Sequence, residues 1–193
     1  MPRFIYLIAL SLCGLFLFGN FQCGKDDCWQ SFSLGDWQST WLDNSGSEPI
    51  PTQNSVSRAA LGIRLSANVF GIDSTQVAPE DACAWEAAHP IGQLEIFATD
   101  GFDTVETGQN ISNRFRLRAI NTYSFKYVAL DEARGALNVL YPPFASEYRL
   151  DILMLEPPSQ PGAYRFSVQI KFDTLNMPLN RDTFFTLPTV ILQ

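Results

Sequence analysis

Few residues in this 193-residue chain have types suited to chemistry: four cysteines, four tryptophans and a single histidine, His89. One imidazole excludes any site needing two and leaves a Ser-His-Asp or Cys-His relay with little to build on. Zinc takes three or four Cys, His or carboxylate ligands, and the cysteines at 13, 23, 28 and 83 do not make such a set. No metal or cofactor site is expected. Asp43-Asn44-Ser45-Gly46-Ser47-Glu48 offers oxygen ligands, but without the D-x-[DN]-x-[DN]-G order and later bidentate glutamate of a calcium loop. Asp100 and Asp103 form a similar acidic turn, and both stretches read as solvated loops. Carboxylates for glycoside hydrolysis are brought together by the fold, and no pair stands out in the sequence. The chain is therefore expected not to be an enzyme.

Two other groups of residues suit binding. Trp37 and Trp41 are four apart, which puts them on the same face of a strand, and flat indoles hold sugar rings by stacking. Core packing is the competing use of both. Arg114, Arg116 and Arg118 alternate with Phe115 and Leu117, so a strand would present three guanidiniums on one face to an anionic glycan or acidic partner, or simply to water. Twenty acidic against 13 basic residues give a net charge of −7. That balance argues against a nucleic-acid partner, because such affinity comes mostly from neutralising phosphates.

The elements that must position these residues begin after an apolar leader. Arg3 precedes Phe4 to Phe18, which is apolar apart from Ser11. The run is too short for the roughly 20 residues of a membrane-spanning helix but fits a secretory h-region. An uncleaved membrane anchor is the competing reading. Export places the later cysteines in an oxidising compartment, so a disulfide between Cys28 and Cys83 is the expectation, with two free thiols as the alternative. Closing that loop would constrain the unfolded chain by about 4 kcal/mol.

The rest reads as mostly β. Ala163 to Phe172 alternates strictly between apolar and polar residues, as do Leu61 to Val69, Tyr148 to Met154 and Leu94 to Ala98. Asp36 to Leu42 is a weaker strand, and Phe184 to Leu192 is a last one that Pro188 confines to an edge or bulge. Pro157 to Gly162 is a turn leading into G-x-Y-x-F-x-V, a pattern of immunoglobulin-like sandwiches in which the tyrosine hydroxyl ties the corner down. Pro79 to Ala88 is expected to be a short helix ending at His89-Pro90, where His89 would meet the last carbonyls. Ala129 to Leu140 is expected as a second one. Phe115 to Phe125 has no assignment.

Asn20-Phe21-Gln22-Cys23 followed by Gly24-Lys25-Asp26-Asp27 resembles lipoproteins of the Bacteroidetes, in which a lysine and two acids after the lipidated cysteine direct export to the outer face of the outer membrane. The resemblance implies lipidation at Cys23 and an export signal in Lys25, Asp26 and Asp27. Ordinary signal-peptidase cleavage to a soluble protein is the alternative. Asp73-Ser74-Thr75, Asp103-Thr104-Val105 and Asp173-Thr174-Leu175 resemble the O-glycosylation acceptor of the same bacteria, which implies modification at Ser74, Thr104 and Thr174. Cys28, the A-x-A stretch around Cys83, the Asp100-Gly101-Phe102-Asp103 turn and the final strands after a proline-rich turn resemble small Bacteroidetes lipoproteins that carry a domain of unknown function.

The expected organisation is a signal peptide over 1–22, a lipidated tether over 23–35 and an immunoglobulin-like antiparallel β-sandwich with one or two short helices over 36–193. Removing the leader takes away one base, Arg3, and moves the net charge to −8. The expected protein is a non-catalytic binding or envelope-assembly module at the outer membrane, facing the cell exterior. Its partners would be the membrane through its lipid and an envelope protein or glycan. A carbohydrate-binding accessory protein of a glycan-uptake system is the second reading, and a small hydrolase the third.

Overall fold

A computed structural model describes residues 30–53, 55–71, 85–103, 105–120, 126–140, 147–173 and 182–193. Its strands are β1 (Gln30–Asp43), β2 (Ile50–Thr52), β3 (Ser55–Val56), β4 (Leu61–Phe70), β5 (Trp85–Ala87), β6 (Ile91–Ala98) and β7 (Phe115–Ala119). The chain continues with β8 (Val128–Ala129), the one-turn helix α1 (Arg134–Leu137), β9 (Val139–Leu140), β10 (Glu147–Met154), β11 (Gly162–Tyr164), β12 (Phe166–Phe172), β13 (Thr183–Thr186) and β14 (Val190–Leu192). The large sheet runs β8-β7-β10-β4-β1-β5-β9, with β2 also on β1. Against it lies β13-β12-β6, and a third small sheet, β11-β14-β3, closes one end. The result is mostly β, as expected, but not purely antiparallel, since β1 pairs with β5 and β14 with β3 in parallel.

Alternation explains the layers. Ile63 and Leu65 of β4, Leu150 and Ile152 of β10, and Phe115 and Leu117 of β7 are fully buried. They face Leu94, Ile96, Val168 and Ile170 of the opposing sheet, which are buried to the same degree. Phe166 joins the layers, with ring contacts to Trp41 at 5.9 Å and Phe115 at 6.3 Å. On the other side of the large sheet Gly62 lets Leu42 and Leu153 close up, since a Cβ there would lie 2.7 Å from Leu153 Cδ2.

Several sequence expectations need correction. The last two long strands are each split between sheets. Ala163 to Phe172 breaks at Arg165, with β11 pairing to β14 and β12 to β6 and β13. Phe184 to Leu192 breaks at Leu187 to Thr189 around Pro188. An unbroken alternation is compatible with both layouts, because crossing between layers changes the neighbour and not the period. The expected helix over 79–88 fails where it is described: Trp85–Ala87 is strand, paired parallel to Gln30–Phe32 and antiparallel to β9. Trp85 and Ala87 are buried and Glu86 is exposed. Burying the indole in the sheet overrides the helix propensity of the alanines. His89 accordingly follows a strand and caps no helix.

The second expected helix shrinks to a 3-10 turn, Leu130–Glu132, and α1. Leu130, Ala133 and Leu137 bury its inner side at helical spacing. Asn138 then stops it, donating to the Arg134 carbonyl at 2.9 Å and clasping Ile91 through its backbone N–H at 2.6 Å and carbonyl at 3.0 Å. Residues 30–35, expected in the tether, belong to β1, where Phe32 is 1% exposed.

Candidate functional site

One concavity among the described residues opens beside a fault in β1. Gly35 pairs with Asn68 and Gln38 with Ser66, so β1 carries one extra residue at this point, a β-bulge. Asp36 takes the strain in a left-handed conformation, φ 51°, which aspartate tolerates better than most residues. Its carboxylate accepts from Asn68 Nδ2 at 3.2 Å. The bulge delivers Trp37 to the rim of the core, edge-on to Tyr148 at 5.8 Å and tilted against Phe185 at 6.3 Å. Tyr148 is a firm backing: fully buried, with its hydroxyl donating to the Leu137 carbonyl at 2.7 Å and its ionisation pushed far up by desolvation.

A cleft of about 370 Å³ lies over this rim, lined by Leu34, Gly35, Asp36, Trp37, His89, Phe172, Thr183 and Phe185. Trp37, Phe172 and Phe185 supply an aromatic wall, and Asp36, His89 and Thr183 supply polar groups around it. Among the described residues no hydrogen bond links His89 to Asp36, whose carboxylate is turned to Asn68.

A second groove of about 370 Å³ runs past Gln93, Glu95, Asn110, Asn113, Arg116 and Asp131. Glu95 there accepts from Gln93 at 2.9 Å and Asn110 at 3.0 Å and pairs with Lys171 at 2.5 Å. Arg116 gives its Nη1 to the Phe115 carbonyl at 2.9 Å. These groups bind one another, and the groove has no aromatic wall.

Trp41 cannot form a platform with Trp37. It shares the face of β1, but that face looks inward, and Trp41 is 2% exposed. Four-residue spacing reports the face of a strand and not whether that face meets water. Of the three arginines, Arg116 and Arg118 share the outward face of β7 and only Arg114 falls outside the strand. Arg114 lies in a turn before β7, with Asp103 at 3.3 Å and its guanidinium 5.0 Å from the centre of the Phe102 ring. Arg118 is held by Glu48 at 3.0 Å and Asp151 at 3.4 Å. Desolvation pulls its ionisation down, but the Glu48 hydrogen bond and the neighbouring charges raise it on balance. The acidic loops bind the protein's own donors: Asp43 takes the Ser45 N–H at 2.8 Å, and Asp100 pairs with Arg165 at 3.4 Å. Asp103 takes Ser159 N at 2.7 Å and Oγ at 2.8 Å.

Cys23, Lys25, Asp26, Asp27, Cys28, Cys83, Ser74, Thr104 and Thr174 lie outside the described residues. Within those that are described, no helix is long and apolar enough to cross a membrane. The cleft residues His89, Phe172 and Phe185 were not singled out together, because the bulge and the edge of the small sheet unite three distant segments.

Among the described residues, fold and site define a β-sandwich with an aromatic cleft at the edge of its core. No family model matches the chain, and no curated protein matches it. Among solved structures it is similar to the collagen-binding subdomain of the Enterococcus faecalis surface protein ACE, at 12% identity, 81% of this chain and 95% of that one, with a TM-score of 0.25. So low a score marks a remote likeness, and the cleft is read from its own residues.

Proposed function

We propose that this protein is a non-catalytic binding module, anchored by lipid on Cys23 to the outer face of the outer membrane, with the Trp37 cleft as its ligand seat. The observation that carries the reading is the cleft itself: a half-buried indole backed by a fixed core, joined by two phenylalanines and rimmed by Asp36, His89 and Thr183. Apolar walls with a few polar groups are what small-ligand sites require. The anchor rests on the resemblance of Cys23 to Asp27 to surface lipoproteins. Fractionation and protease shaving of intact cells test it: the protein should sit in the outer-membrane fraction and be cleaved from outside, and Cys23→Ser should release it. A Cys23→Ser variant that stays with the membrane overturns the anchor.

The carbohydrate reading survives in altered form, with Trp37 alone as the stacking residue and the polar rim as partners for hydroxyls. Affinity electrophoresis through a panel of neutral polysaccharides checks it. Trp37→Ala should lose about tenfold in retention, the scale of one lost stacking contact. Retention unchanged by Trp37→Ala counts against the cleft.

The same reading joins Cys28 to Cys83. Its support is the parallel register of β1 and β5, in which Gln30 faces Trp85. In the sequence, each cysteine lies two residues before its member of that pair.

A further inference from the structure

The Trp37 cleft has a definite sign. Its lining holds one carboxylate, Asp36, and no lysine or arginine. Among the described residues Asp36 forms no ion pair; its contact is the neutral amide of Asn68 at 3.2 Å, which leaves the charge unmatched. The cations adjoining the cleft are engaged elsewhere. Lys171, beside Phe172 in the chain, is held by Glu95 at 2.5 Å, and Arg134 pairs with Asp173, which follows Phe172.

The aromatic wall is open to a cation as well. Two rings of this protein already carry a guanidinium, Phe102 with Arg114 at 5.0 Å and Tyr127 with Arg118 at 5.3 Å. Among the described residues none lies over Trp37, Phe172 or Phe185. Trp37 and Phe185 stand with centroids 6.3 Å apart and planes inclined at 59°, so they are not stacked face to face. Rings so disposed can both come within the roughly 6 Å at which a ring face attracts one cation. We infer that the cleft takes a small quaternary ammonium group, as in choline, held by these rings and by the Asp36 charge. This rests on the reading of the cleft as the ligand seat and names the class of its ligand. An anion meets the wrong sign. A primary ammonium is strongly hydrated and needs acceptors for three N–H groups, whereas a quaternary one has none to satisfy. A neutral sugar would leave the Asp36 charge without a counterpart. The cleft, about 370 Å³, lies at the small end of ligand pockets, which suits a compact head group.

The test follows the N-methyl protons of choline by saturation-transfer NMR with the full chain, beside the neutral isostere in which carbon replaces nitrogen. Choline should bind about tenfold tighter than the isostere, and Trp37→Ala should weaken choline about tenfold. Asp36→Asn should cut the preference about threefold and leave the isostere unchanged. Asparagine tolerates the left-handed backbone there, φ 51°, so this variant serves if Trp37→Ala fails to fold. The preference should also shrink with salt. Equal binding of choline and isostere, or a preference that Asp36→Asn leaves intact, overturns the cation. Absence of choline binding while polysaccharide retention still falls in Trp37→Ala overturns the cation and spares the seat. If neither ligand responds to Trp37→Ala, the seat falls as well. Vesicles of phosphatidylcholine distinguish the sources of the group. Displacement of choline by them at lower concentration than by deuterated choline, lost in Trp37→Ala, assigns a lipid head group; choline binding without that displacement assigns a free cation.

Discussion

Trp41 presses edge-on against Phe166 at 5.9 Å, while Trp37, four residues earlier on the same face of β1, borders the cleft. Equal spacing therefore serves two jobs, and substitution separates them. Trp41→Ala should cost about 3–5 kcal/mol of folding stability, the usual cost of emptying an aromatic core position. Trp37→Ala removes a half-buried ring and should cost about 1–2 kcal/mol while weakening the proposed cleft binding about tenfold. Urea unfolding of both variants checks the ranking, and equal losses would show that Trp37 is only a core residue. Asp103 offers a second residue-scale prediction. Its carboxyl is partly desolvated, which raises its pKa, but the Ser159 hydrogen bonds and Arg114 outweigh that and lower it overall. A carboxylate with a depressed folded pKa stabilises fully above its unfolded value, near 3.9, and the contribution fades as pH falls below it. Wild type should therefore melt a few degrees above Asp103→Asn at pH 7 and lose that margin below about pH 4. Asparagine also tolerates the left-handed backbone of Asp103, φ 56°, so strain does not confuse the comparison.

Between β10 and β12 the Pro157 to Gly162 turn hands the chain from the large sheet to the small ones, and Tyr164 fastens it. Its hydroxyl donates to the Gln160 carbonyl at 2.8 Å, and its ring meets Phe102 edge-on at 5.5 Å. The corner foreseen from G-x-Y-x-F-x-V is thus present, with desolvation raising the tyrosine's ionisation. Tyr164→Phe keeps the ring and removes only the bond, so it should cost about 1 kcal/mol, measured as a shift in urea midpoint at unchanged slope. A cost near zero would mean that ring packing alone holds the turn. β4, β10 and β6 were legible because their alternation coincides with a simple inside and outside. Helix and strand were confused over Trp85–Ala87, where three residues carry too little periodicity to outweigh alanine's propensity. The β1 bulge was illegible for a related reason: Gly35 and Asp36 suit a turn as well as a fault within a strand.

At the scale of the whole molecule, the sheet begins earlier than a sandwich over 36–193 would have it, since pairing with β5 starts at Gln30. The Trp37 cleft was only half legible for a global reason. Trp37 itself is visible as a candidate, but Phe172 and Phe185 join it through a sheet pairing that composition and spacing do not encode. The cysteines carry the last prediction. Gln30 and Trp85 are partners in a parallel pair, and Cys28 and Cys83 each lie two residues upstream. Neighbouring strands stand about 4.8 Å apart, within the range a disulfide spans. Alkylation of the unfolded, unreduced protein should therefore add no label at these positions, and reduction should add two. Reduction should also lower stability by about 4 kcal/mol, since the bond closes a long loop in the unfolded chain. Two labels before reduction would overturn the bridge and leave β1 and β5 joined only by their ladder. A bond that forms but contributes little would instead show no label before reduction together with a urea midpoint indifferent to reductant.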